Sequence, residues 1–402
     1  MKIVFLAPFG IRPKGTVLAR MIPLAEALQL LGHEVVIVAP PYTNAEDSGR
    51  TETVRGVRLQ NVLLGPRHKV LAVPALAWRM LRAALAEKPD LVHLFKPKGY
   101  GGVAAMLHIA LQRSGLRLPP LFLDTDDWEG EGGMNELHPY SGAEKRFYRF
   151  QESWLLTRAV GVSVASRGLE GLVAGAGVPA ERTLYLPNCV GNALPGKGEA
   201  LRKRVGIAPD APVVLLYTRF FEFSQEKLHY LFAQIFKEVP QVRFLVVGKG
   251  RHGEEDALAR AAQESGFGDA LCIAGWVQPA EIPEYLAAGD VAVYPFADTL
   301  WNRTKCPAKL TELLMAEKAV VADRVGQLAE YIVDGRSGVL CDPDDWSEMA
   351  LRAVELLQAP ELRASLGAEA RRHLQEEFNW STAASRLESF YRLRSPAPGL
   401  AP

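Results

Sequence analysis

The chain has 402 residues, of which 48% are apolar, with 46 Lys and Arg exactly balanced by 46 Asp and Glu. That length fits two or three domains with ample cores, and a net charge of zero speaks against a nucleic-acid partner. The charge is unevenly spread: up to Leu123 there are 16 Lys and Arg against 7 Asp and Glu, about +9, which leaves about −9 for the rest. Two readings of the basic front stay open, chance composition of helix surfaces or attraction to anionic lipid or a phosphorylated acceptor.

Cys189, Cys272, Cys306 and Cys341 have no metal-ligand spacing and sit in different motifs, so they read as free thiols of a reducing cytoplasm. No run reaches the ~18 apolar residues of a membrane span. The opening Met-Lys-Ile-Val-Phe-Leu-Ala-Pro is too short for a signal peptide and reads as a buried strand. The expected location is cytoplasmic, with peripheral contact on the inner face of the membrane as an open extension.

In chain order, strand Lys2–Ala7, loop Gly10–Gly15 and a helical stretch Thr16–Leu31, kinked or delayed by Pro23, lead to strand Glu34–Ala39. This is a βαβ unit. Strands are predicted at Val57–Leu63, Leu91–Leu94, Leu121–Asp124 and Ala159–Val164, with helices between several of them. Arg67-His-Lys69 leads into an apolar stretch with Arg79 and Arg82, predicted as a basic amphipathic helix from Pro74. It packs on the sheet or docks on a membrane interface. Residues 191–211 are rich in Gly, Pro and charge and read as a linker. A second series of strands follows at Pro212–Tyr217, Arg243–Val247, Ala270–Ile273, Val291–Tyr294 and Val320–Ala322. A last amphipathic helix begins at Phe378-Asn-Trp380-Ser and ends near Leu393, before a frayed tail from Ser395.

The densest run of motifs lies between Gly275 and Pro343. It holds Gly275-Trp276-Val277, Tyr285 to Asp290, Lys305-Cys-Pro-Ala-Lys309, Leu310-Thr-Glu312-Leu-Leu-Met-Ala316, Val325-Gly326-Gln327 and Glu330 to Gly335. Short apolar runs end in Gly, Pro or polar turns, and helical runs follow, as at the carboxyl edge of a parallel sheet. This succession resembles the donor half of the retaining GT-B glycosyltransferases of the family 4 group, and the resemblance extends over nearly the whole chain. It implies an α/β fold of two Rossmann-like, doubly wound parallel-sheet domains facing a cleft. The domains are 1–190 on the acceptor side and 212–379 on the donor side, with a helix 380–394 returning to the first domain. It further implies transfer of a sugar from a nucleoside diphosphate sugar to a glycan, lipid or small-molecule acceptor, without metal or other cofactor.

By resemblance, Arg219 and Lys227 clamp the diphosphate, although Phe220-Phe-Glu-Phe223 separates them by more residues than is usual. Gly248 and Gly250 form the Gly-x-Gly loop that lets backbone approach the donor. Trp276 and Val277 meet the nucleotide base, where Trp276 stacks or merely packs. Lys305 and Lys309 line the donor site, and Glu312 binds the ribose hydroxyls. The family's first Glu falls at Thr304, which carries no carboxylate; Asp298, Arg303 and Lys305 are nearby substitutes.

On the acceptor side the resemblance points to Gly10 and Gly15, with Arg12 and Lys14 between them, and to His93 and Lys96 at a strand end. Asp124-Thr-Asp126-Asp127-Trp-Glu129-Gly-Glu131 is the densest acidic cluster. Asp126 stands where many members offer a His to the transferred sugar, and Asp127 beside it faces the acceptor. Hydroxyl recognition, acceptor deprotonation, cation binding and plain solvation all remain open for this loop. His93 is equally a packed core residue or a site residue. Two other functions stay open, a nucleotide-sugar 2-epimerase on the same fold and a non-catalytic nucleotide-sugar-binding protein.

Overall fold

The computed structural model describes residues 1–12, 15–65, 69–191 and 196–394. Lys14, Arg67, His68 and the tail from Ser395 lie outside them. The chain divides into two compact units. The first is Met1–Cys189 with Thr304–Cys306 and the residues from Asn379 onward; the second is Val190–Arg303 with Pro307–Phe378.

The first unit is built on eight strands: β1 Lys2–Leu6, β2 Glu34–Ala39, β3 Thr51–Val54, β4 Val57–Asn61, β5 Leu91–Phe95, β6 Leu121–Thr125, β7 Gly161–Val164 and β8 Thr183–Tyr185. Their order is β3-β4-β2-β1-β5-β6-β7-β8, all parallel except the β3–β4 pair. Strands β5, β6 and β7 are buried along their whole length, as continuous apolar runs in a parallel sheet require. The strand order reverses between β1 and β5, so the loops that leave these two strands border the crevice where doubly wound sheets bind ligands.

Pro23 does delay the first α-helix. A π-helical turn covers Val17–Met21, and the α-helix Ile22–Leu30 starts with Pro23 in its first turn, where no amide is missed. The C-terminal helix Trp380–Arg394 packs within this unit. Tyr391 Oη lies 2.5 Å from His93 Nδ1, and Gly161 leaves room for the ring of Phe390, which a Cβ would approach to 2.6 Å.

The second unit holds β9 Val213–Tyr217, β10 Arg243–Val247, β11 Leu271–Gly275, β12 Val291–Tyr294, β13 Ala319–Asp323 and β14 Val339–Cys341. All pairs are parallel in the order β11-β10-β9-β12-β13-β14, so the reversal falls between β9 and β12. Leu228, Leu231, Phe232 and Ile235 of helix Gln225–Glu238 pack with Phe244, and Phe232 stacks on Phe244 at 4.2 Å. The stretch expected as a linker is, in its described part, folded onto this unit. It carries a helix Glu199–Arg204, and Arg202 binds Asp290 Oδ2 at 2.8 Å and the Ala288 carbonyl at 2.9 Å.

The strands that sequence patterning missed, β3, β8 and β14, each lie at the edge of a sheet. β3 and β8 carry no fully buried residue, so they lack the apolar run that marks the central strands.

Candidate functional site

In the second unit, helix Ala308–Met315 follows Pro307 and brings Lys309 and Glu312 to the same face, one turn apart. Both meet Tyr217, the last residue of β9. Its hydroxyl donates to Glu312 Oε2 at 2.7 Å, and Lys309 Nζ lies 3.2 Å from its ring centre. Burial and Glu312 together raise the Tyr217 phenol well above its ordinary value, so it stays a donor. Tyr217 and Lys309 border a small pocket with Thr218, Glu222, Phe223 and Tyr294, at the strand reversal between β9 and β12. Tyr217 itself was not anticipated; a polar aromatic closing a buried strand was the available signal.

Arg219 begins the loop after β9 and its side chain is 54% exposed. Lys227 is corrected. It is buried, and its Nζ binds both oxygens of Asp323 at 2.7 and 2.8 Å and the Pro343 carbonyl at 2.9 Å. All three ammonium donors are used inside the unit, so Lys227 is not an exposed phosphate clamp. Burial raises the Asp323 carboxyl to about 6 against the pull of Lys227, and the Phe296 amide donates to its other side at 2.6 Å.

Gly248 has φ +135°, and a Cβ there would lie 1.8 Å from the Thr218 carbonyl oxygen; only glycine lets these two loops touch. The Gly248 amide donates to the Gly275 carbonyl at 2.8 Å, the Gly250 amide to Glu255 at 3.0 Å, and the His252 amide just beyond to Glu254 at 2.6 Å. Trp276 is 64% exposed, which overturns the packing alternative, and Val277 beside it is half-buried. Lys305 is buried and falls in the short segment that groups with the first unit. Thr304 is buried as well, its carbonyl accepting from Ser166 Oγ at 2.7 Å. Arg303 and Asp298 pair with each other at the surface.

In the first unit, Lys96 directly follows β5 with φ +58° and gathers the acidic loop that follows β6. Its Nζ lies 2.7 Å from Asp126 Oδ1, bonds Asp127, and sits 3.9 Å from Glu129. Thr16 Oγ1 donates to Asp126 at 3.0 Å, and Lys98 binds Glu129 at 2.6 Å. Burial opposes ionisation of Asp126, but Lys96 and Arg20 outweigh it and hold the carboxyl below its usual range. Burial likewise opposes the charge on Lys96, yet the three carboxylates keep it protonated. Glu152, buried beneath, receives the Glu129 amide at 3.2 Å, and its carboxyl is pushed well up by burial and by Glu129. The loop is thus a cluster of paired charges and not a bare anionic patch. Among the described residues no three His, Cys, Asp or Glu side chains are grouped to hold a metal ion.

Arg20, one residue before the end of the π turn, is fully buried. It grips Asp124 through Nε at 2.8 Å and Nη2 at 2.6 Å, and also bonds the Leu186 carbonyl at 2.7 Å. His93 is corrected to a core residue. It is buried among Phe5, Phe95, Phe122 and Tyr391, and burial pushes its imidazole down to about 4. Gly10 is explained by packing, since a Cβ would lie 1.6 Å from Asn44 Oδ1. Gly15 starts the following helix, its carbonyl accepting from the Ala19 amide at 3.0 Å. Arg12 turns toward Glu46 and Asp47 at 3.6 and 3.7 Å.

Residues 15–189 match the glycosyl transferase 4-like domain and residues 211–359 the glycosyl transferases group 1 domain. A GDP-mannose-dependent alpha-(1-6)-phosphatidylinositol monomannoside mannosyltransferase of Mycolicibacterium smegmatis is 25% identical over 88% of this chain and 89% of its own. A D-inositol 3-phosphate glycosyltransferase of Catenulispora acidiphila is 30% identical, over 49% of this chain and 47% of its own, so the match spans about half of each protein. Among solved structures, a sucrose-phosphate synthase from Thermosynechococcus elongatus superposes with a TM-score of 0.76 at 21% identity, over 98% of this chain and 99% of that one. The HepE protein of Anabaena, in complex with UDP and glucose, does so with a TM-score of 0.72 at 21% identity, over 98% and 100%. With two parallel-sheet units of this topology and both domains matched, the chain belongs to the GT-B glycosyltransferases of the glycosyl transferase 4-like, group 1 family.

Proposed function

We propose that this glycosyltransferase moves a sugar from a nucleoside diphosphate sugar to an acceptor with retention of configuration. The observation that carries the reading is the meeting of Lys309 and Glu312 at Tyr217, beside a pocket at the strand reversal of the second sheet. Glu312 offers a carboxylate to a ribose diol, Arg219 an exposed guanidinium to the diphosphate, and the uncovered indole of Trp276 a stacking face to the base. A relative named for GDP-mannose and a similar structure solved with UDP and glucose support a nucleotide donor without selecting the base.

In the first unit, Asp126 is ionised and tied to Lys96, which makes it a weak base and a good acceptor of hydroxyl hydrogen bonds. We therefore assign it to sugar or acceptor recognition. The acceptor proton then goes to the departing phosphate oxygen on the same face, which is the route to retention. No metal is required. A panel of UDP-, GDP- and ADP-sugars, followed for donor consumption and for the anomeric configuration of product, tests this. Inverted product rules out retention, and consumption of none of them rules out the donor class.

Thr304 favours a second reading, because it places no carboxylate where the family has its first Glu. A nucleotide-sugar-binding protein without turnover would show tight binding and no consumption in the same panel.

We also propose that the first unit docks on anionic lipid. Leu71 and Trp78 are exposed on helix Lys69–Ala86, with Arg82 beside them, and Phe147 and Phe150 are exposed on helix Gly142–Leu156 with Arg146. Apolar and aromatic side chains interleaved with arginines fit an interfacial surface. Among the described residues no helix is long and apolar enough to cross a membrane.

A further inference from the structure

Four tyrosines come together on the first unit, in segments that leave the carboxyl ends of its strands. Tyr42 lies in the loop after β2, and Tyr100 in the first turn of helix Gly99–Arg113 after β5. Tyr140 and Tyr148 stand just before and within helix Gly142–Leu156. Gln151 ties these segments together: it accepts from the Gly99 amide at 3.0 Å and donates to the Gly99 carbonyl at 3.2 Å. It stands one turn from Tyr148, and Gly102 makes room for it, since a Cβ there would lie 2.7 Å from its Nε2. Ser141 and Glu144 cap the helix start reciprocally and hold the turn that carries Tyr140.

The rings of Tyr42 and Tyr100 meet edge-on at 5.2 Å and those of Tyr140 and Tyr148 at 5.1 Å. Tyr42 is 46% exposed, and the other three are half-buried. Burial, then the phenols of Tyr140, Tyr100 and Tyr148 and the Glu129 carboxylate, push the Tyr42 hydroxyl up, so it stays a donor. Among the described residues none of the four hydroxyls has a hydrogen-bond partner.

This chemistry selects its ligand. Lys98 Nζ lies 5.7 and 5.9 Å from the Tyr140 and Tyr148 ring centres, so the place of a bound cation is already taken. Its charge is paired with Glu129 at 2.6 Å, with Asn135 Oδ1 at 3.2 Å, which disfavours an anionic ligand. An acyl chain would strip water from four hydroxyls without replacing it. A sugar ring fits both parts of a tyrosine, its C–H face against the rings and its hydroxyls against the phenols. Glu129 also stands 3.9 Å from Lys96, which holds Asp126 at 2.7 Å, so one carboxylate joins the tyrosines to the loop assigned to hydroxyl recognition.

We propose that Tyr42, Tyr100, Tyr140 and Tyr148 form a subsite for a neutral sugar ring of the acceptor. The proposal rests on the sugar-transfer reading above and names the acceptor class, a carbohydrate.

The experiment is saturation-transfer NMR, titrating methyl α-glucoside, methyl α-mannoside, methyl α-galactoside, maltose and glucose 6-phosphate, with and without UDP, GDP and ADP. It compares the parent protein with Tyr100→Ala, Tyr148→Ala, Tyr100→Phe and Tyr148→Phe. At least one neutral saccharide should bind the parent, and each alanine variant should weaken it about 2- to 12-fold, the range of one aromatic contact. The phenylalanine variants keep the rings and the packing and should lose less than the alanine variants. No neutral saccharide bound, or parental affinity in all four variants, overturns the proposal. Tighter binding of glucose 6-phosphate than of every neutral sugar overturns the neutral class. Tyrosine-dependent saccharide binding with no nucleotide sugar consumed sinks the donor reading and keeps the subsite. Donor consumption with no saccharide bound does the reverse.

Discussion

Lys227 Nζ stands 2.7 and 2.8 Å from the two carboxylate oxygens of Asp323, with both side chains buried between helix Gln225–Glu238 and the end of β13. Lys227→Met removes the cation and leaves Asp323 with the Phe296 amide. Loss of one partner of a buried pair costs about 3–5 kcal/mol, so urea unfolding should show a large fall in stability. Lys227→Met with Asp323→Asn should recover much of it. A Lys227→Met protein of parental stability with weakened nucleotide binding would return Lys227 to the phosphate site.

Glu312→Gln keeps the Tyr217 contact within reach but removes the charge from the diol acceptor. Nucleoside diphosphate binding should weaken by roughly 1–3 kcal/mol, measured by calorimetry. The 2′-deoxynucleotide should lose less than the ribonucleotide. Equal affinity in both proteins would remove Glu312 from the ribose.

Asp126→Asn should leave nucleotide affinity nearly intact and lower transfer by about tenfold or more, as misplacement of a reacting group does. Lys96 keeps Asp127 and Glu129, so the fold should survive. EDTA should have no effect on the parent enzyme. Activity lost to EDTA and restored by magnesium or manganese would make the acidic loop a metal site, and unchanged transfer by Asp126→Asn would make it mere scaffold.

His93 gives a pH signature. Its folded value of about 4 lies below the ordinary 6.5, so between those values the unfolded chain takes up a proton that the folded chain refuses. The His93 contribution is fully present above pH ~6.5 and is lost as the pH falls to ~4, in all about 3 kcal/mol. His93→Gln should be less stable at pH 7, for want of packing, but its urea midpoint should fall less on acidification. Parallel pH profiles for the two proteins would show that His93 does not resist protonation.

Sedimentation with vesicles tests lipid docking. Binding should require anionic phosphatidylglycerol, fall steeply with salt, and weaken about tenfold in Leu71→Ser with Trp78→Ser, as loss of buried apolar area predicts. Equal binding to phosphatidylcholine vesicles, or none to either, would remove the membrane from this face.

What could be read from the sequence divides along burial. Runs such as Val213–Tyr217 and Val291–Tyr294 are buried on both faces, so composition alone exposes them. β3 and β8 are not, and they were missed. At the site, Lys309 and Glu312 were named by resemblance to the family, and the structure puts them one turn apart on a single helix. Lys227 was not, because its fate depends on Asp323, which lies 96 positions later in the chain and reaches it only through the folded sheet. His93 shows the same limit, since the partner that settles it is Tyr391.

Tyr391 also bears on the order in which the protein is made. The first unit lacks its final helix until residues 379 onward have been synthesised, whereas the second unit is continuous from Val190 to Phe378 but for three residues. Arg20 meanwhile waits for Asp124 and Leu186 before its charge is paired. A ribosome therefore releases a complete second unit while the first is still missing the helix that covers His93. The half synthesised last is the half whose chain is complete first.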